Sequence, residues 1–229
     1  MQFNEIERSK TDSLVTVLRT CLLKLPRDVL VVGCGTGLES GDIARAFGAN
    51  TIGIDIGSAL PFDHAAAAPA KLMIMDARQL RFADASFDLV YSFHALEHIQ
   101  NPQLALAEMA RVLRPAGTYL VGTPNKSRLI GYVGAPVPFK SKVRWNLNDF
   151  RMRLGGKWSN EAGAHAGFTE VQLMRMCANA FGGIPRSVSD IYYQVLYVHR
   201  TRMLRLLAAT GLRTIVYPCV YVAGSKPTV

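Results

Sequence analysis

Residues 28–37 read Asp-Val-Leu-Val-Val-Gly-Cys-Gly-Thr-Gly, and no other stretch constrains the fold as much. Asp28 to Val32 is a short β-branched strand by composition, and it runs directly into glycines at 33, 35 and 37. Leu38 to Phe47 then carries helical apolar spacing, closed by Gly48. Glycines after a strand let the backbone pass close to a ligand, and the helix start behind them offers free N–H groups and a positive dipole end. A dinucleotide fingerprint would need glycine at position 38, which is Leu38, and Thr36-Gly37-Leu38-Glu39 has no lysine for phosphates.

The unit repeats. A helix is expected over Leu14 to Leu25. Further strands are expected at Thr51 to Asp55 and Leu72 to Asp76, each ending in an acid, and at Phe87 to Ser92 and Gly117 to Gly122. Asn101-Pro102 reads as N-cap and first residue of a helix reaching Leu113. Strands alternating with helices imply parallel pairing and right-handed crossovers, with ligands across the strands' carboxyl ends. Asp55 stands at the second strand's tip, where a carboxylate can take both ribose hydroxyls. The expected ligand is an adenosine-like cofactor without phosphate.

Phe93-His94-Ala95-Leu96-Glu97-His98-Ile99 contains H-x-x-E-H, an inverted zinc-protease pattern. Zinc would need continuous helix to bring His94 and His98 to one face, with Glu97 acting on a bound water. The flanks give a strand before and a new helix start after, so the histidines fall on a short turn. No third ligand follows, and no metal is expected.

The series of motifs resembles a class I S-adenosylmethionine-dependent methyltransferase of the broad type 11 group, from Val29 to about Asn125. VLVVGCGTG resembles the glycine motif and TIGIDIG the ribose-binding acid. MDARQLRFADASFDLVYSFHALEHI resembles the adenine-binding and post-fourth-strand segments, and RVLRPAGTYLVGTPN the helix, turn and fifth strand. The resemblance implies a Rossmann-like, seven-stranded, mostly parallel α/β sheet with helices on both faces. It is expected as one domain over 1–229, with a cofactor core at 1–125 and insertions at 126–167, after the fifth strand, and 190–212, before the last. It further implies that Gly33, Gly35 and Gly37 line the methionine and ribose, that Asp55 binds the ribose hydroxyls, and that Asp76 with Ala77 meets the adenine. Ile56 joins that set. His94 and His98 would cross the mouth of the site. His165, in Gly163-Ala164-His165-Ala166-Gly167, resembles a histidine facing the acceptor pocket. Any of the three suits a general base, since imidazole titrates near operating pH. One departure stands out: Val31 occupies a position where the family usually has an acid.

Charge divides the chain. Residues 1–125 hold 11 Lys and Arg against 13 Asp and Glu, a net of −2; residues 126–229 hold 15 against 4, a net of +11. The basic half contains an apolar, Gly/Pro-punctuated loop over Arg128 to Lys140 and a basic, aromatic-containing stretch from Lys140 to Trp158. Helices are expected at Phe168 to Phe181 and Asp190 to Ala209, and a closing strand at Thr214 to Gly224. Such long connections often choose the acceptor. A small-molecule or lipid-like acceptor, methylated on oxygen, is the first expectation, with peripheral membrane contact through 126–157 and 191–207. RNA methylation through the basic half ranks below it because no RNA-binding module is recognisable, and a non-catalytic scaffold is the third reading. The four cysteines lie scattered among apolar neighbours, and the lack of a signal-peptide pattern or a long apolar run suggests a cytoplasmic protein with reduced thiols.

Overall fold

The computed structural model describes residues 3–22, 24–57, 61–132 and 137–228, with side chains from Thr11 onward. Leu23 of the expected leading helix and Val133 to Pro136 of the expected apolar loop lie outside the described residues. In chain order the elements are α1 (Phe3–Cys21), β1 (Asp28–Val32), α2 (Leu38–Phe47), β2 (Asn50–Asp55), α3 (His64–Ala67), β3 (Lys71–Ile74) and β4 (Phe87–Phe93). A 3-10 turn (Leu96–His98) precedes α4 (Pro102–Val112) and β5 (Leu113–Pro124). Then come α5 (Phe139–Leu154), α6 (Glu170–Phe181), β6 (Arg186–Ser187), α7 (Ser189–Leu196), a second 3-10 turn (Val198–Arg200), α8 (Thr201–Ala209), α9 (Arg213–Val216) and β7 (Cys219–Ser225).

These strands form a seven-stranded sheet in the order β3-β2-β1-β4-β5-β7-β6. The first five are parallel, and β7 runs antiparallel to both β5 and β6. Side chains alternate into two cores. Leu30, Val32 and Val90 face one, with Leu106 and Met109 of α4 and Leu173 and Phe181 of α6; Val29, Val31 and Tyr91 face the other, with α1, α2 and Tyr192 and Tyr193 of α7. Burial on both faces is why β1 reads as an unbroken apolar run. The parallel strands all end on one edge, so Gly33, Asp55, the segment after β3 and His94 meet there.

From β1 to β5 the first half follows most of its expected elements, but α1 runs from Phe3 to Cys21 where Leu14 to Leu25 was expected and the short α3 was not expected; the second half departs further. Asn101 does occupy the N-cap of α4, but with φ 59° and no side-chain capping bond. The single helix expected over Asp190 to Ala209 is broken at Tyr197 into α7, a 3-10 turn and α8. Burial explains the break: Tyr192 and Tyr193 are anchored in the core under β7, whereas only Leu204 of α8 is buried. The strand expected from Thr214 starts only at Cys219, because Arg213 to Val216 form a helical turn. Val216 N–H donates to Leu212 O, and Pro218 ends the turn before β7. Here local hydrogen bonding overrides the β-propensity of Thr-Ile-Val. β6, only two residues long, gave no periodic signal. The basic stretch after Lys140 lies in a sixteen-residue helix, α5.

Among the described residues no helix is long and apolar enough to cross a membrane. Cys34 and Cys177 are buried, and burial pushes each thiol up to about 12; Cys21 and Cys219 are half-buried.

Candidate active site

The glycine loop is held open by left-handed backbone at Gly33 (φ 76°), Gly35 (φ 53°) and Gly37 (φ 95°), a conformation that side chains with a Cβ resist. A Cβ at Gly33 would stand 2.2 Å from Ala95 Cβ, and one at Gly37 2.4 Å from Leu72. At Gly35 nothing lies within 4 Å of that position, so this part of the loop faces open space. Gly35 N–H donates to Asp55 Oδ2 at 3.0 Å, fixing the carboxylate at the tip of β2 against the loop. Ile56 and Ile74, just beyond Asp55 and at the end of β3, are both exposed despite their size. Two apolar side chains at neighbouring strand tips make a surface suited to a flat ring. Ile74 was not a sequence candidate; its signal is exposure at a strand end, which only the fold reveals.

Asp76 follows β3 and is bound by Arg78, whose Nη2 and Nε donate to it at 2.7 and 3.1 Å. Those bonds hold the Asp76 carboxyl below the usual range. Ala77 is buried. Val31 packs in the core. On the first turn of α2, Glu39 accepts from the hydroxyl of Tyr91, the β4 partner of Val31, at 3.0 Å.

Beyond β4 the three histidines come together around Glu97. His94 takes a left-handed φ of 53° and its Nδ1 lies 3.1 Å from Glu97 Oε1, while its Nε2 lies 3.5 Å from Cys219 Sγ on β7. His98 Nε2 is 4.0 Å from the same Glu97 oxygen, and Thr123 Oγ1 of β5 donates to Oε2 at 3.3 Å. Desolvation opposes a charge on His94, only in part because 44% of its side chain stays exposed, and the sulfur of Cys219 and the Glu97 carboxylate outweigh it and raise the imidazole to about 10. Burial likewise pushes Glu97 up, and the His94 hydrogen bond and charge reverse this, leaving it below its ordinary value. Both shifts favour an imidazolium facing a carboxylate. The sequence placed Glu97 only in the metal pattern; its observed partners make it the organiser of the histidines. Cys219, 125 residues from His94, had no sequence signal.

His165 meets His98 edge to face, ring centroids 4.6 Å apart, and its pKa is lowered by burial and then by His98. Its position is fixed from behind. Gly167 (φ 74°) approaches β5 so closely that a Cβ would stand 1.8 Å from Pro124 O, and Asn160 Oδ1 accepts from Gly167 N–H at 2.8 Å. The buried guanidinium of Arg128 donates to Ala166 O and His165 O at 3.2 and 3.4 Å, and to Asp149 Oδ2 of α5 at 3.3 Å. Asp149 also accepts from Tyr132. Arg128 and Asp149 were not site candidates in the sequence, yet they join α5 to the histidine cluster. Among the described residues no group of three or more His, Cys, Asp or Glu is arranged to hold a metal ion.

Comparison with known proteins bears on the fold that carries this site. Residues 30–121 match the family model described as a methyltransferase domain. A ubiquinone biosynthesis O-methyltransferase of Rhizobium rhizogenes is 36% identical over 104 residues, covering 43% of this chain and 42% of that enzyme. The matched segment thus spans less than half of that relative's length. Among solved structures, the Haemonchus contortus phosphoethanolamine N-methyltransferase 2, in complex with S-adenosyl-L-methionine, superimposes with a TM-score of 0.56 at 17% identity over 95% of this chain and 52% of that one. The [4+2]-cyclase SpnF gives 0.56 at 18% identity, over 95% and 81%. Residues 30–121 thus match a methyltransferase domain, and they lie in a seven-stranded sheet with the Rossmann-like fold of these solved structures. A cyclase on the same fold shows why the chemistry must be argued from the site.

Proposed function

We propose that the protein is an S-adenosylmethionine-dependent methyltransferase acting on an oxygen of an amphipathic small-molecule or lipid-like acceptor. The observation that carries this reading is the open glycine loop at Gly35 with Asp55 hydrogen-bonded to it and the exposed Ile56 and Ile74 alongside, set at the same sheet edge as a histidine cluster. Those residues fit an adenosine-type cofactor: a backbone that tolerates close approach, a carboxylate for the ribose and an apolar surface for the base. When bound, S-adenosylmethionine supplies an electrophilic methyl group. The chain's own residues supply the alignment and, for a hydroxyl acceptor, a proton acceptor. His165 suits that task best, because its lowered pKa keeps it neutral at pH 7, whereas His94 is held as a cation. His94 and His98, both on Glu97, then orient the acceptor by hydrogen bonding. Oxygen is favoured as the acceptor atom by the named activity of the ubiquinone-pathway relative. Peripheral membrane contact through 126–157 and 191–207, with the protein in the cytoplasm, belongs to the same reading.

Asp55→Ala is expected to weaken cofactor binding by about 1–3 kcal/mol, roughly 5- to 150-fold, because it removes a positioned charge-assisted acceptor. The test of the reading itself is transfer of an isotope-labelled methyl group to hydroxylated metabolites and lipids in a cell extract. Label in an oxygen-methylated product, lost in Asp55→Ala, is the expected result. Label confined to RNA, or cofactor binding without transfer to any acceptor, would overturn it.

A further inference from the structure

Helix α5 is amphipathic the wrong way round for a helix packed on a core. Apart from Met152, its less exposed residues are polar or aromatic. Asp149 pairs with Arg128, Asn146 exchanges hydrogen bonds with the backbone of Gly131, and Trp145 packs near Tyr132. Its large apolar side chains point to solvent: Phe139, Val143, Leu147, Phe150 and Leu154 are 42–78% exposed. Their spacing of four, four, three and four places all five on one stripe, about 22 Å long at the rise of an α-helix. Lys140, Arg144 and Arg151 follow on the next positions around the helix and are also exposed. The only acid in the helix is Asp149, which is buried. Leu129 and Ile130, on the segment joined to α9 by the bond from Leu129 N–H to Ile215 O, are exposed as well.

We propose that α5 is a membrane-surface helix that lies in the interface of an anionic bilayer, with the Phe139–Leu154 stripe in the acyl boundary and its basic border on the headgroups. Charge selects this occupant. A straight apolar stripe edged by cations, with no exposed carboxylate on the helix, complements a flat anionic surface. At sixteen residues α5 is too short to cross one. The helix is also tied through Asp149 and Arg128 to the backbone of His165, so a membrane-held α5 sets the histidine cluster beside the bilayer. The inference deepens the lipid-like acceptor reading and rests on it for what the surface delivers; lipid binding itself needs no cofactor.

Flotation with phosphatidylcholine vesicles, with and without phosphatidylglycerol, tests it. The full chain is expected to float with phosphatidylglycerol vesicles, less at high salt, and not with phosphatidylcholine alone. Leu147→Asp/Phe150→Asp is expected to lower the bound fraction at least about tenfold, and Lys140→Glu/Arg144→Glu/Arg151→Glu to remove the dependence on phosphatidylglycerol. Both variants change exposed positions, so unaltered thermal melting and calorimetric cofactor affinity are the controls. They also separate this result from failure of the methyltransferase reading. No flotation of the wild type, or flotation that neither variant reduces, would overturn the proposal. So would a dimer that Leu147→Asp/Phe150→Asp dissolves, or retention by bulk RNA in preference to vesicles.

Discussion

His165→Ala is expected to lower kcat by about 10²–10⁴-fold, the usual contribution of a positioned general base, while cofactor affinity stays unchanged. The groups facing His165 are His98, Glu97, Arg128 and Asp149. Burial and His98 together favour the neutral imidazole, so its pKa lies below the ordinary 6.5. A proton acceptor must be neutral to act. Activity should therefore rise with pH through a midpoint below 6.5 and be flat across neutrality. At the alkaline end the His94 cation is lost near pH 10, and if its hydrogen bond orients the acceptor, activity falls there. His165→Ala removes the acid limb, whereas His94→Gln removes the alkaline one. Retention of full turnover in His165→Ala, with the loss appearing in His98→Ala instead, would move the base to His98.

Asp149→Ala should cost about 3–5 kcal/mol of stability, because it leaves the guanidinium of Arg128, 4% exposed, without its carboxylate. For a chain of this size that is a fall in Tm of roughly 6–20 °C. Three backbone carbonyls still accept from Arg128, which sets the cost nearer the lower figure. The double change Arg128→Met/Asp149→Leu, which removes both charges, is expected to recover much of the loss. Turnover should fall in the single variant as well, since Arg128 fixes the carbonyls of His165 and Ala166. A loss below about 1 kcal/mol in thermal or denaturant unfolding is what a solvated surface pair would show, and would contradict the assignment of this pair as the link between α5 and the cluster.

The sequence carried most of the strands and helices between β1 and β5. Strands buried on both faces are contiguous apolar runs, and the Gly33, Gly35 and Gly37 series marks the turn that follows one of them, so β1, α2, β2 and β4 could be placed to within a residue or so. Asp55 was legible because it stands at a strand tip, and its bond to Gly35 is local in space as well as in pattern. The acceptor side was hidden for three physical reasons. Glu97 organises His94 and His98 through hydrogen bonds that a three-letter pattern equally suggests as metal ligation. Cys219 and Thr123 reach the cluster only because β7 and β5 pair antiparallel beside β4, a long-range fact with no local signature. α5 has clear helical spacing, but its apolar residues face outward and its cations obscure the pattern, while the helical turn at Thr214 to Val216 contradicts its own β-propensity.

Calorimetric titration of the purified full chain with S-adenosylmethionine and with its demethylated product addresses the central claim most directly. Saturable one-to-one binding with a Kd below about 1 mM is expected, weakened in Asp55→Ala and unchanged in His165→Ala. Absence of binding of either ligand at about 1 mM, or equal affinity in Asp55→Ala and wild type, would contradict the claim that the Gly33–Gly37 loop and Asp55 form the cofactor site.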